Sequence, residues 1–325
     1  MMGLTINARA EEFPIRGSFI ISRGAKTEAE VVVAEVSDGS HVGRGECVPY
    51  ARYSETVDGV IADIEAVRLQ GLDRQALRGA MPAGAARNAL DCALWDLEAK
   101  QTGKRVAEIC GLGPPRPLET AYTLNLGTPE AMAEAAKTSA HRPLLKLKLG
   151  GDGDDERILA VRTAAPSSRI IVDANEAWDE DNCIANLRAC AEARVSLIEQ
   201  PMKAGADDML RDIPHVAPFC ADESLHVTAD LDGLTGKYDA VNVKLDKTGG
   251  LTEALDLVSE ARRRGYLVMV GCMVGTSLSM APAVLLGQLA DVIDLDGPLL
   301  LDRDRSPALR YDGAIVHPPE ADLWG

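Results

Sequence analysis

The sequence predicts an α/β protein, with an N-terminal portion of strands followed by helices leading into a parallel (β/α)-barrel. Three observations lead there. From about residue 118 onward, short apolar strand-like runs alternate with helical stretches, and eight such runs can be counted. Strand–helix alternation implies right-handed crossovers and a parallel sheet, and eight units in this length close a barrel rather than an open sheet. Finally, strands covered on both faces should be almost wholly apolar, yet five consecutive ones carry charge near their carboxyl ends.

The N-terminal portion comes first. "FIISRGAKTEAEVVVAEVSDGSHVGRGEC" has a β-branched run at Val31–Val33 and an Asp38-Gly39 turn, which predicts an antiparallel hairpin or meander. Ser54 is placed to cap a helix over "SETVDGVIADIEAVRLQ". A second helix opens at Pro82, aligns Leu90, Leu94 and Leu97 on one face, and stops near Gly103. The adjacent prolines of "GLGPPRPLE" cannot continue a helix and mark the linker. The barrel strands then fall in "TAYTLNL", "LLKLKL", "RIIVDAN", "SLIEQP", "PFCADES", "AVNVKLD", "LVMVGCM" and "DVIDLDG". The glycine-rich "GGDGDDE" is a strand-to-helix turn, since its acids repel phosphate and it lacks the pattern of a calcium loop.

Composition narrows the function. The chain has 325 residues, 46% of them apolar, with a formal net charge of -16. That charge argues against nucleic acid and anionic membranes as partners, since both require a basic face, and favours a small substrate. The start lacks the pattern of a signal peptide, no apolar run is long enough to span a membrane, and a cytoplasmic location is expected. Seven scattered cysteines without a C-x-x-C pair indicate reduced, mostly buried thiols.

The strand-end charges carry the chemistry. Lys146 and Lys148, Asp173, Glu199, Asp222 and Lys244 succeed one another at intervals of 22 to 26 residues, the length of one strand–helix unit. Each alone reads as a solvated surface group. Together, at one period, they aim into the carboxyl mouth of the barrel, where active sites of this fold lie. Three carboxylates gathered there repel one another unless a cation sits between them. An all-oxygen triad favours Mg²⁺, or Mn²⁺, over zinc. A metal that binds a substrate carboxylate stabilises the enediolate formed when the adjacent carbon loses its proton. A nearby cation and a second ammonium lower a lysine's pKa, so that it can act as the base. Lys148 on the second strand and Lys244 on the sixth approach from opposite sides, an arrangement suited to inversion. Lys146 is read as the neighbour that depresses the Lys148 pKa and binds the substrate carboxylate.

"KLKL", "IIVDANEAW", "LIEQP", "CADES" and "VNVKLDKTGGLTEAL" stand in the order and spacing of the enolase superfamily, in its muconate-lactonizing subgroup, which the chain resembles over nearly its whole length. A lysine base working with Mg²⁺ is that superfamily's general chemistry and comes here with the resemblance. "PAGAARNALDCALWDLEAK", "GECVPYARYSE" and "DLDGP" resemble the dipeptide epimerases of the L-Ala-D/L-Glu type. The resemblance implies a modified (β/α)7β TIM-type barrel with an N-terminal α+β capping domain. The cap would span 1–115, the barrel 116–305, and a C-terminal segment 306–325 would pack back on the cap. It implies Asp173, Glu199 and Asp222 as Mg²⁺ ligands, with Lys148 acting on the (R) and Lys244 on the (S) epimer. Asp294 and Asp296 would grip a dipeptide ammonium, Arg23 the side-chain carboxylate of a C-terminal Glu, and Thr123, Cys272 and Val274 would line the pocket. Asn175 and Glu223 adjoin the metal ligands and are read as supporting them or as belonging to the neighbouring site.

The expected reaction is therefore epimerisation of a small dipeptide in cell-wall peptide recycling, by a chain compatible with homo-oligomer assembly. An N-acylamino acid racemase or an o-succinylbenzoate synthase would share the metal and both lysines but would not need Asp294 and Asp296. A catalytically silent metal- and peptide-binding barrel is the remaining alternative.

Overall fold

The computed structural model describes residues 4–67 and 73–325. Three antiparallel strands begin the chain, β1 (Thr5–Ile21), β2 (Gly24–Ser37) and β3 (Val42–Cys47), in the order β1-β2-β3. The predicted hairpin is β2–β3, turning at Asp38 to His41. The long β1 lies upstream of the predicted hairpin: Thr5 to Ala10 alternate polar and apolar, but Glu11-Glu12 and Pro14 interrupt the pattern, and its pairing with β2 shifts register between Pro14 and Phe19.

Helices α1 (Val57–Ala66), α2 (Arg74–Ala80), α3 (Ala85–Thr102) and α4 (Val106–Ile109) follow. Ser54 does not cap α1: it adopts a left-handed conformation at φ 62°, and the Thr56 hydroxyl accepts from the Gly59 amide instead. Residues 68–70 of the expected helix lie outside the described residues. Helix α3 ends at Gly103, at φ 67°, as its sequence predicts. It is buried on almost every side because it lies between the cap sheet and the barrel. Leu90, Leu94 and Leu97 pack with Val32, Ala34 and Val36 of β2. The contact is close enough to require glycine, for a Cβ on Gly45 would fall 2.1 Å from the Ala89 carbonyl and one on Gly43 2.1 Å from that of Ala93.

After the short β4 (Leu118–Glu119), the barrel strands are β5 (Tyr122–Leu124), β6 (Leu144–Lys148), β7 (Arg169–Asp173), β8 (Leu197–Glu199), β9 (Phe219–Ala221), β10 (Ala240–Val243), β11 (Leu267–Val270) and β12 (Val292–Ile293). They lie in sequence order and pair in parallel. The Ala121 amide donates to the Ile293 carbonyl at 2.8 Å and so joins the two edges. All eight predicted strands are present. Helices α5 (Pro129–Thr138), α6 (Asp154–Ala164), α7 (Cys183–Glu192), the one-turn α8 (Leu245–Thr248), α9 (Leu251–Arg263) and α10 (Ser277–Leu286) make the crossovers, but only 3-10 turns follow β8 and β9. The "GGDGDDE" segment is the expected turn, its Asp154 accepting from the Gly150 and Gly151 amides.

Inside the barrel each strand gives one residue to a dry bottom layer: Ala121, Leu144, Ile171, Leu197, Cys220, Ala240, Met269 and Val292. Side chains alternate along a strand, so residues two further on face the same interior. These are Thr123, Lys146, Asp173, Glu199, Asp222, Asn242 and Asp294, a polar layer resting on the apolar one. The outward residues Leu145, Leu147, Ile170, Val172, Ile198, Val241 and Val268 pack under the helices. Burial of both faces explains why alternating strands here do not face water. Nor are the two lysines of β6 solvated surface groups, as Lys146 is 1% and Lys148 7% exposed.

Two last strands, β13 (Tyr311–Asp312) and β14 (Ile315–Val316), pair with β4. Beyond them, Trp324 donates its indole N–H to the Cys92 carbonyl and the Gly325 amide donates to Asp96, both on α3. The seven cysteines are all free, five of them buried.

Candidate active site

The strand order fixes the positions of the charges. Lys148 ends β6, Asp173 ends β7, Glu199 ends β8, Asp222 follows β9 and Lys244 follows β10. Strands β6 and β10 stand four apart in an eight-stranded barrel, so Lys148 and Lys244 face each other across its mouth.

Asp173, Glu199 and Asp222 are almost fully buried, and each has one oxygen held and one turned toward ammonium groups. Asp173 Oδ1 accepts from the Asn175 amide at 3.0 Å, Glu199 Oε1 from Asn242 Nδ2 at 2.7 Å, and Asp222 Oδ1 from Lys247 Nζ at 2.6 Å. The second oxygens meet the mouth lysines. Lys148 Nζ lies 2.6 Å from Asp173 Oδ2 and Lys244 Nζ 2.7 Å from Asp222 Oδ2. Lys146 Nζ is 2.7 Å from both Glu199 Oε2 and Asp294 Oδ2, and 3.1 Å from Asp173 Oδ2.

Burial alone would lower the pKa of Lys146, but Asp294, Glu199 and Asp173 outweigh it and hold it well above the usual lysine range. Lys244 behaves the same way, with Asp222 and Glu199 overcoming burial. The expected downward shift therefore does not appear at Lys244 while carboxylates are its nearest neighbours. Burial raises Asp173 and Asp222, yet Lys148 and Lys146 on the first, and Lys244 and Lys247 on the second, bring both below the carboxylate range. Glu199 goes the other way: burial, and then the Asp173 charge, push it up.

The donor set fits a hard divalent cation. Its atoms are all carboxylate oxygens, and Glu199 Oε2, though close to Lys146, receives no hydrogen bond. Among the described residues no three His, Cys, Asp or Glu side chains converge as they would around an ion. The mouth ammonium groups stand between the three acids, and would have to withdraw for a metal to enter.

Above this layer lies a cavity of about 440 Å³, roofed by Phe19, Arg23 and Tyr50 from the cap. Of the residues singled out from the sequence, Arg23, Thr123, Lys146, Lys148, Asn175, Asp222, Glu223, Lys244, Cys272, Val274, Asp294 and Asp296 line it, while Asp173 and Glu199 lie beneath. Arg23 pairs with Glu223 at 2.8 Å and donates to the Asn175 carbonyl and the Tyr50 hydroxyl. Burial, followed by the charges of Asp222 and Asp173, raises the Glu223 carboxyl to about 7. Across the cavity Asp296 Oδ2 accepts from the Thr123 amide at 2.6 Å, and Asp294 Oδ1 is buried without a partner. Burial and the neighbouring Asp294 raise Asp296 to about 6.

Sequence reasoning passed over two residues of this network. Asn242 shares the inward parity of Ala240 and Lys244 and could have been found by it. Lys247 lies on the helical turn after β10, where strand parity no longer applies.

Two family models cover the chain: the mandelate racemase/muconate lactonizing enzyme N-terminal domain over residues 4–111, and the enolase C-terminal domain-like model over 130–322. The chain is 44% identical over 318 residues to the L-Ala-D/L-Glu epimerase of Escherichia coli (strain K12), covering 96% of this chain and 99% of that one. It is also 44% identical over 300 residues to an N-acetyl-D-glutamate racemase of a Pseudoalteromonas species, covering 91% and 95%. Among solved structures, an enolase family member from Agrobacterium tumefaciens with homology to dipeptide epimerases, bound to sodium and L-Ala-L-Glu, superposes with a TM-score of 0.97 at 55% identity, over 99% of this chain and 100% of that one. A dipeptide epimerase from Methylococcus capsulatus, complexed with Mg and L-Arg-D-Lys, gives a TM-score of 0.88 at 30% identity, over 98% of each chain. With both of its parts matched and its barrel mouth built as described, the chain belongs to the mandelate racemase/muconate lactonizing enzyme branch of the enolase superfamily.

Proposed function

We propose that this protein is a Mg²⁺-dependent epimerase that inverts the α-carbon of the C-terminal residue of a dipeptide, with L-Ala-D/L-Glu as its substrate pair. One observation carries the reading. Two lysines face each other across a cavity whose wall presents a pair of carboxylates, Asp294 and Asp296, one of them with a buried oxygen lacking any partner.

Asp173, Glu199 and Asp222 would hold the metal, with Mn²⁺ able to substitute, and the bound cation would supply Lewis-acid polarisation of the substrate carboxylate. Lys148 and Lys244 move the proton. One, as the neutral amine, takes the α-proton, and the C–H electron pair passes into the carboxylate group. The other, as the ammonium, returns a proton to the opposite face of the same carbon. The first lysine finishes charged and the second neutral, so exchange with solvent resets the pair. By the family pattern Lys148 serves the (R) and Lys244 the (S) epimer. Lys146, enclosed by three carboxylates, supplies fixed positive charge beside the substrate carboxylate. Asp294 and Asp296 grip the dipeptide ammonium by charge-assisted hydrogen bonds. Arg23 exchanges Glu223 for the side-chain carboxylate of the substrate, while Thr123, Cys272 and Val274 shape the wall. Asn175 supports Asp173 through its backbone amide, and Glu223 sits beside the ligands as the partner that Arg23 releases. A cytoplasmic place in cell-wall peptide recycling belongs to the same proposal and rests on the family resemblance.

A second reading is racemisation of an N-acylamino acid, favoured by the Pseudoalteromonas relative at equal identity. An acylated nitrogen carries no charge, and would leave Asp294 Oδ1 buried without a cationic partner, which is costly. Polarimetry of L-Ala-D-Glu and N-acetyl-D-glutamate in parallel, with Mg²⁺ and with EDTA, separates the two. A metal-dependent change of rotation with the dipeptide alone supports the epimerase, and decay of rotation with the acetylated substrate alone refutes it.

A further inference from the structure

Lys247 takes no part in the chemistry above, yet its side chain is completely buried against a residue assigned to the metal. Its ammonium has three protons and three acceptors: Asp222 Oδ1 at 2.6 Å, the Asp222 carbonyl, and the Asn242 carbonyl at 3.1 Å. With all three donors used and no access to the cavity, it has no proton to exchange with a substrate. Lys244 differs on each count, since it lines the cavity and donates to Asp222 Oδ2. The two lysines divide the carboxylate between them, one oxygen each.

The turn that carries Lys247 is braced by the cap. Helix α8 has only four residues and follows Lys244 directly, so a side chain three positions on returns to the strand ends. Arg87 of α3 donates to the carbonyls of Thr248 at 2.6 Å and Gly249 at 3.0 Å, closing the carboxyl end of the turn. Asp246 accepts from the Val48 amide at 3.0 Å and Asn88 Nδ2 at 2.8 Å. Gly249 (φ 74°) and Gly250 (φ 113°) allow this approach, for a Cβ on either would fall 2.4 Å from α3, at Arg87 Nε and Asp91 Cβ respectively. The turn therefore cannot drift when charges in the mouth rearrange.

Building on the metal assignment proposed above, we infer that Lys247 is a positioning residue that keeps Asp222 Oδ1 permanently engaged, so that Asp222 offers a cation Oδ2 alone, once Lys244 has withdrawn. Charge and position predict opposite effects. Removing any ammonium near the acids takes away a repulsion and should tighten metal binding. Removing one that orients a ligand should weaken it, by about 10- to 100-fold for supporting groups of this kind.

Mn²⁺ binding to the full chain, followed by electron paramagnetic resonance without substrate, compares the wild type with Lys244→Met and Lys247→Met. The expected result is tighter binding for Lys244→Met and binding weaker by at least tenfold for Lys247→Met, though both remove one positive charge. Lys247→Met binding as tightly as the wild type overturns the inference while leaving the metal assignment intact. A wild-type chain that binds no Mn²⁺ overturns both. Should Lys247→Met not fold, a crystal structure of the wild type with Mg²⁺ decides: Asp222 bound through Oδ2 with Oδ1 still on Lys247 supports the inference, and bidentate Asp222 or a released Lys247 overturns it.

Discussion

Replacing Asp294 with Asn separates the two substrate classes and has a magnitude that the structure supplies. The side chain is almost fully buried, one oxygen lies 2.7 Å from Lys146 Nζ, and the other has no partner. Asparagine keeps the shape and removes the charge. Lys146 remains paired with Glu199 at 2.7 Å and Asp173 at 3.1 Å, so the barrel interior stays neutralised. What is lost is a charge-assisted bond to the substrate ammonium, worth about 1.5–3 kcal/mol. At 1.36 kcal/mol per decade this lowers kcat/KM for L-Ala-D-Glu by roughly 10- to 160-fold. Turnover of N-acetyl-D-glutamate, if the wild type shows any, should change by less than about threefold, because no ammonium is gripped. Steady-state kinetics of both substrates on the purified variant gives the comparison. Equal losses on the two would show that Asp294 acts through Lys146 and the metal layer, and would refute its role in ammonium recognition.

Other outcomes follow from the same geometry. Asp296 must be ionised to hold an ammonium, and its carboxyl is raised to about 6, first by burial and then by Asp294. Since kcat/KM reports the free enzyme's groups, its profile for the dipeptide should fall as pH drops through about 6; a limb close to 4, the ordinary aspartate position, would contradict this. Lys148→Ala and Lys244→Ala should each lower epimerisation by about 10²- to 10⁴-fold. Each should still exchange the α-proton of one epimer, L-Ala-L-Glu for Lys148→Ala and L-Ala-D-Glu for Lys244→Ala, and exchange of both epimers by either variant would rule out one base on each face. Glu46 ties the cap to the barrel: its buried carboxylate accepts from the Thr276 amide at 2.8 Å and pairs with Arg305 at 2.6 Å. Glu46→Ala should cost about 3 kcal/mol in urea unfolding, the low end for breaking a buried pair, because Arg305 keeps Glu11 at 2.7 Å. A loss under about 1 kcal/mol would show that this tie does not hold the two parts together.

The barrel was legible because its strands are short, apolar and regularly spaced, and because the charges at their ends kept one period. The same regularity led to Lys146, Lys148, Asp173, Glu199, Asp222 and Lys244. Asn242 apart, what was missed is what strand parity and local propensity do not encode. Ser54 and Thr56 are both good helix caps, and only the left-handed turn at Ser54 decides for Thr56. The crossovers after β8 and β9 were expected to be helical and are 3-10 turns, where the sequence between strands is too polar and interrupted to sustain a helix. Lys247 looks like one more surface lysine on a glycine-flanked turn, and its burial depends on Arg87 and Asn88, some 160 positions earlier. The pairing of each mouth lysine with a particular carboxylate oxygen likewise exists only once the barrel has closed.

Proton NMR of L-Ala-D-Glu and L-Ala-L-Glu incubated with the protein and Mg²⁺ in D₂O, beside an EDTA control, tests the central claim most directly. The predicted result is metal-dependent conversion of each epimer into the other with deuterium entering the Glu α position. Retention of the α-proton in both dipeptides, or exchange that never inverts the centre, would contradict it.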